Sequence, residues 1–317
     1  MFDLIIIGAG PAGITAAIYA ARKRIETLII TKDIGGQAAL SGDVENYTGY
    51  QFISGPELAF KFEEHLRKFD LTLKENEAAQ EVKRAANLIR VRTDKGSYEA
   101  RAVIIASGKR SRELGVPGEK EFKNKGLTYC ATCDAPLFSG KDVAVIGGGN
   151  SALDAAIQLI KIADKIYIIN IAENLSADMI MQQAARGSPK VTVINNSRVT
   201  AILGDKPEGN GAASNSRSHK MVNAIKIKKA GKEELLPVQG VFVEIGLNPN
   251  SEFAPEVEKN ELGELKVDPY NQTNIPGIFA AGDVTDVPEK QIVIAAGEGS
   301  KAALSVFKYL ITNPRGL

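Results

Sequence analysis

Residues 3–17 read D-L-I-I-I-G-A-G-P-A-G-I-T-A-A. An unbroken apolar run, a glycine-rich turn and a stretch of helix formers follow one another within fifteen positions. An apolar run without polar alternation suits a strand buried on both faces, as in a parallel sheet. In the turn, Gly8 permits the sharp bend, Gly10 lets a diphosphate approach the backbone, and Gly13 lets helix and strand pack closely. The helix N-terminus then faces the negative charge. T-L-I-I-T at 27–31 supplies the second strand of a β-α-β unit. Glycine turns alone are common; the strand–turn–helix–strand context makes this one specific. A ribose-binding carboxylate is expected about 20 residues on. The residues there are Thr31, Lys32 and Asp33, so that contact is in doubt.

The unit recurs. D-V-A-V-I-G begins at 142, the turn Gly147–Ala152 reads G-x-G-x-x-A, and K-I-Y-I-I-N closes the second copy. Duplication predicts an α/β protein with two doubly wound, Rossmann-like dinucleotide-binding domains. Apolar strands ending in Gly stand at 102–108 and 240–246, each followed by a turn-rich linker. One domain is therefore expected inside the other: 1–114 with 243–317 forming a discontinuous first domain, and 115–242 the insert. G-I-F-A-A-G-D-V at 277–284 completes the first domain. Asp283, after Gly282, can accept hydrogen bonds from a sugar-like chain. The helix starting near Gln291 and Ile292 can aim its positive end at an electron-rich ring. Residues 204–219, polar and glycine-rich, read as a hairpin tip without assigned function.

The chain has 317 residues, 44% of them apolar, and a net charge of +1. That even balance gives no reason to expect nucleic acid or an anionic membrane as partner. Neither a leader pattern nor a run of about 18 apolar residues is present, and a cytoplasmic protein is expected. The only two cysteines, Cys130 and Cys133, lie in Y-C-A-T-C-D. In a reducing compartment such a pair is catalytic or metal-binding more often than structural. A closed zinc site needs four ligands, and His65 and His219 lack ligand spacing to the pair. A C-x-x-C on an α/β frame suits disulfide exchange through a thiolate. No metal is expected. Asp134 can cap the A-P-L-F turn after it, a role that does not exclude another.

Taken in order, G-A-G-P-A-G, G-G-Q (35–37), V-E-N-Y-T-G (44–49), A-S-G (106–108), C-A-T-C-D, G-G-G-N-S-A, G-V-F-V-E-I-G and A-A-G-D-V resemble the low-molecular-weight thioredoxin reductases over almost the whole chain. The resemblance implies a homodimer and thioredoxin as substrate. It implies FAD on the first turn, at Gly8, Gly10, Pro11, Ala12 and Gly13, cradled further by Gly36, Gln37, Asn46, Gly282, Asp283, Gln291 and Ile292. It also implies a Cys130–Cys133 disulfide in which Cys133 accepts the flavin's electrons and Cys130 attacks thioredoxin. Asp134 matches the acid that protonates the departing thiolate.

The electron donor departs from the family pattern. NADPH-dependent members place a His-Arg-Arg run and a further Arg after the second strand of the inserted domain. The matching positions here are Asn170, Ile171, Ala172 and Ser176, with Glu173 beside them. Each lost charge-assisted bond to the 2′-phosphate removes roughly 1.5–3 kcal/mol. The chain therefore resembles the relatives that draw electrons from reduced ferredoxin. Lys109, Arg110 and Arg112 form a short basic run that could steer an acidic ferredoxin, although such runs are ordinary surface. The competing readings are the same enzyme driven by NADH or NADPH, a nucleotide-binding redox sensor without turnover, and a flavoprotein feeding a peroxiredoxin. That last type usually carries an extra N-terminal thiol domain, whereas Met1 here opens directly on the flavin motif.

Overall fold

The computed structural model describes residues 1–41, 43–85, 87–204 and 221–314. Apart from Gly204, the 204–219 stretch lies outside them. Two compact units are present: Met1–Arg110 with Asn248–Leu317, and Ser111–Leu247. The crossings fall at 110/111 and 247/248, where sequence pattern placed them at 114/115 and 242/243. The difference is small because glycine and proline mark linkers only to within a few residues.

In the first unit, β1 (Phe2–Ala9), α1 (Pro11–Arg22) and β2 (Thr27–Ile34) form the unit read from residues 3–31. The sheet runs Thr72–Lys74, β2, β1, Ser97–Ile105, Leu88–Thr93, Ala79–Ala85. Ile278–Ala280 pairs in parallel with the last residues of Ser97–Ile105 and so adds the C-terminal segment to this sheet, one strand removed from β1. Leu4 and Ile6 face the α1 side, while Ile5 and Ile7 enter the core on the opposite face. A strand covered on both sides needs apolar residues at every position, which is why its sequence does not alternate. The long helix Ile292–Thr312 packs on α1. At its Gly299 a Cβ would collide with the carbonyl of Ala12.

The second unit has a five-stranded parallel sheet, ordered Leu127–Thr128, Gly240–Val243, Asp142–Ile146, Lys165–Ile169, Val191–Ile194. Val143 and Val145 pack on the side of helix Asn150–Leu159, and Ala144 and Ile146 on the other side. That other side also takes Val199, Ile202, Ile225 and Ile227 from the antiparallel strands Ser197–Gly204 and Val222–Lys229. The α/β fold with Rossmann-like parallel sheets is the one expected from the duplication. Among the described residues no helix is long and apolar enough to cross a membrane.

Candidate functional site

The first glycine turn keeps space where a diphosphate needs it. A Cβ on Gly8 (φ 105°) would collide with the carbonyl of Ala106, and one on Gly13 with the carbonyl of Gly8. At Gly10 nothing lies within 4 Å of that position. Gly10 caps α1 without any side-chain hydrogen bond, and Pro11 occupies the first turn. The amides at this helix start are thus left to an external anion. Distant segments converge here. The Cβ position of Gly36 is 3.2 Å from the Cα of Gly10, and that of Gly282 (φ 75°) is 2.9 Å from the Cβ of Ala12. Asn46 Nδ2 donates to Gln291 Oε1 (3.1 Å) at the start of the long helix, where Ile292 packs against Val44, Ile53 and Leu58. Gln37 Nε2 donates to the carbonyl of Lys109 (2.6 Å). Asp283 is half-buried, and desolvation pushes its carboxyl up, against the attraction of Lys290 and Lys109. Thr31, at the ribose-acid position, spends its hydroxyl locally: it accepts from the Ala9 amide (3.2 Å) and donates to the Asp33 carbonyl.

In the second unit Cys130 and Cys133 form a disulfide. Cys130 caps the four-residue helix Ala131–Asp134, its sulfur accepting from the Cys133 amide (3.3 Å). The Cys130 amide donates to Thr128 Oγ1 (3.1 Å), whose hydroxyl donates to Asp134 Oδ2. Asp134 is buried. It makes no side-chain cap to the 3₁₀ turn Ala135–Phe138, so its carboxylate serves the cysteine turn through Thr128.

The second glycine turn repeats the mechanics of the first. A Cβ on Gly147 (φ 142°) would collide with the carbonyl of Glu244, as Gly8 does with Ala106. Gly149 starts helix Asn150–Leu159 without a side-chain cap, and only Ser176 Oγ, at 3.7 Å, approaches its Cβ position. At the strand end, Asn170 is buried and fully engaged. Its Nδ2 donates to the Ala172 carbonyl (3.0 Å) and Asn195 Oδ1 (2.9 Å), and its Oδ1 accepts from the Ala172 amide (3.3 Å). Ile171 and Glu173 are exposed.

Residues 2–299 match the pyridine nucleotide-disulphide oxidoreductase family. The chain belongs to this family. It is 41% identical over 316 residues to the NADH dehydrogenase of Bacillus subtilis, covering 98% of this chain and 59% of that protein. It is 43% identical over 314 residues to an alkyl hydroperoxide reductase subunit of Pseudomonas putida, covering 98% and 58%. The chain thus spans less than two thirds of these relatives. The thioredoxin reductase of Streptococcus pyogenes MGAS5005 superposes with a TM-score of 0.89 at 38% identity, covering 98% and 99% of the two chains. Pyridine nucleotide-disulphide oxidoreductases of this fold bind FAD. The open Gly10, the uncapped α1 and the convergence of Gly36, Gly282 and Asp283 on that turn fit it.

Two sequence expectations change within this family frame. The basic run at 109–112 is not a patch of free cations. Lys109 is 7% exposed and ion-paired with Glu264. Arg110 is paired with Glu252 (2.7 Å) and Asn250. A buried, paired lysine cannot steer a partner through solvent. The second change is a residue that motif reading passed over. Glu244, in G-V-F-V-E-I-G, accepts from the amide of Ala131, the residue after Cys130. Burial, with a smaller push from the Asp154 charge, raises its carboxyl to about 7. The only signal was a carboxylate at the end of an otherwise apolar strand. Among the described residues no three His, Cys, Asp or Glu gather as a metal would require.

Proposed function

We propose that this chain reduces the disulfide of thioredoxin, with reduced ferredoxin as its electron donor. The dithiol turn carries the first half. It holds a C-x-x-C disulfide at the start of a short helix with Asp134 linked through Thr128. Bound FAD supplies the electron pair. The Cys130–Cys133 bond opens on taking up two electrons and two protons, Cys133 being the first acceptor. Cys130, as thiolate, attacks one sulfur of the thioredoxin disulfide to give a mixed disulfide. Cys133 then displaces the partner, which leaves with both electrons, and the internal disulfide re-forms. Asp134 holds the proton that the departing sulfur takes. We place the enzyme in the cytoplasm as a homodimer.

The donor half rests on the strand end beyond the second glycine turn. Where the 2′-phosphate of NADPH needs cations, the chain has Asn170, Ile171, Ala172 and Ser176. Asn170 has also spent its polar atoms internally, so it has little left for a ribose hydroxyl. A second reading, the same reaction driven by NADH, is favoured by the open position at Gly149 and by the relative named NADH dehydrogenase. Titrating the oxidised enzyme with reduced ferredoxin, NADH and NADPH, and monitoring flavin absorbance and thioredoxin thiols, separates the two. Bleaching by ferredoxin with thiol production is expected, and bleaching by micromolar NADH alone would replace the first reading with the second.

A further inference from the structure

Lys109 sits in a cluster of four buried or half-buried ionisable groups. Its side chain is 6% exposed, and that of its partner Glu264 is 8% exposed. Lys290 Nζ lies 3.4 Å from the same carboxylate oxygen and also donates to the carbonyls of Thr285 (2.7 Å) and Val287 (2.5 Å). Asn260 donates to the second Glu264 oxygen (2.5 Å). Burial works against the Glu264 carboxylate, but the hydrogen bonds from Lys109 and Asn260 and the two ammonium charges hold it below its ordinary range. Burial, and then repulsion by Lys109, pulls Lys290 below the ordinary lysine range.

Stability does not account for this arrangement. Desolvating ions costs several kcal/mol each, and well-packed apolar residues often replace such pairs without loss. The two segments are already joined nearby: the Asn250 amide donates to the Gly108 carbonyl (2.9 Å) and Asn250 Nδ2 to the Ser107 carbonyl (2.8 Å). What sets Lys109 apart is its neighbours. Its carbonyl receives Gln37, and its charge reaches Asp283, two of the residues assigned to FAD.

We propose that Lys109 is a further positioning residue of the flavin site: by neutralising Glu264 it leaves the Lys290 charge to act on Asp283, and so sets the charge against which bound FAD takes up electrons. This rests on FAD lying at the first glycine turn. Without Lys109, Glu264 competes for Lys290 and the cluster becomes one unit more negative. Added negative charge opposes reduction of the flavin. Without the Glu264 charge the cluster becomes one unit more positive, and reduction is favoured.

The test uses the holoenzyme and the variants Lys109→Met, Glu264→Gln and the double variant. FAD content, circular dichroism and the reduced-to-oxidised flavin ratio against a reference dye are measured anaerobically. Lys109→Met should lower that ratio at least tenfold at fixed dye poise. Glu264→Gln should raise it by a similar factor, and the double variant should return to within about threefold of wild type. A merely structural role would move both single variants the same way, or neither, and either result overturns the proposal. If Lys109→Met does not fold, an unchanged or lowered ratio in Glu264→Gln overturns it alone. Wild-type protein that binds no FAD would remove the flavin-site assignment itself, and the proposal with it.

Discussion

The side-chain amide of Asn170 lies against the Cα of Gly148, so closely that a Cβ at Gly148 would fall on the Asn170 amide group. The end of the strand Lys165–Ile169 is thereby locked onto the glycine turn, and the positions that follow, Ile171 and Ala172, carry no cation. Two or three missing charged contacts cost several kcal/mol, about a thousandfold or more in affinity. NADPH at micromolar concentration should leave the flavin oxidised. Ile171→Arg with Ala172→Arg should then tighten NADPH binding at least tenfold, measured by equilibrium dialysis. Tight NADPH binding by the unaltered protein would defeat the argument.

Cys133→Ser and Cys130→Ser should each abolish thioredoxin reduction, because each removes one sulfur of the only disulfide the chain can form. FAD content should stay normal, since the flavin residues belong to the other compact unit. Thioredoxin turnover above about a tenth of wild type in either variant would rule out the dithiol route.

Purified protein should release FAD on denaturation, identifiable by chromatography. Gly13→Ala should cost about 1–3 kcal/mol or more, because the added carbon meets the Gly8 carbonyl, which cannot move without shifting the turn. Loss of bound FAD should accompany a lowered Tm. A stable, fully yellow Gly13→Ala protein would contradict the close approach.

Glu244 predicts a pH signature. Its folded-state value of about 7 lies above the ordinary 4.5, so the folded chain holds a proton that the unfolded chain has released. Its contribution to stability is present below about pH 4.5 and lost as pH rises through 7. Glu244→Gln should therefore match wild type near pH 5 and exceed it near pH 8 by about 2 kcal/mol. Denaturant unfolding at both values measures this, and a difference independent of pH would refute it.

Recurrent turn motifs made much of this protein legible in its sequence. Strand–turn–helix units depend on apolar runs and on glycines with no room for a side chain: Gly13 meets the Gly8 carbonyl of its own turn, while Gly8 and Gly147 meet the carbonyls of Ala106 and Glu244 at the ends of neighbouring strands. Gly8, Gly13 and Gly147 could therefore be placed by motif, and Cys130 and Cys133 by their spacing taken together with the family resemblance. The missing cations at Ile171 and Ala172 were equally visible, because a phosphate site at a strand end is a matter of position. Charge and burial were not. Lys109 read as a surface cation beside Arg110, and only its pairing with Glu264, 155 residues later in the chain, shows that it is turned inward. Glu244 read as the polar end of a strand, until the fold set it against the amide of Ala131, more than a hundred residues earlier in the chain. Asp134 read as an acid by resemblance and as a turn cap by position, and only the fold shows that it makes no cap and receives the Thr128 hydroxyl. Desolvation and pairing depend on which distant segments are brought together, and tertiary structure alone decides that.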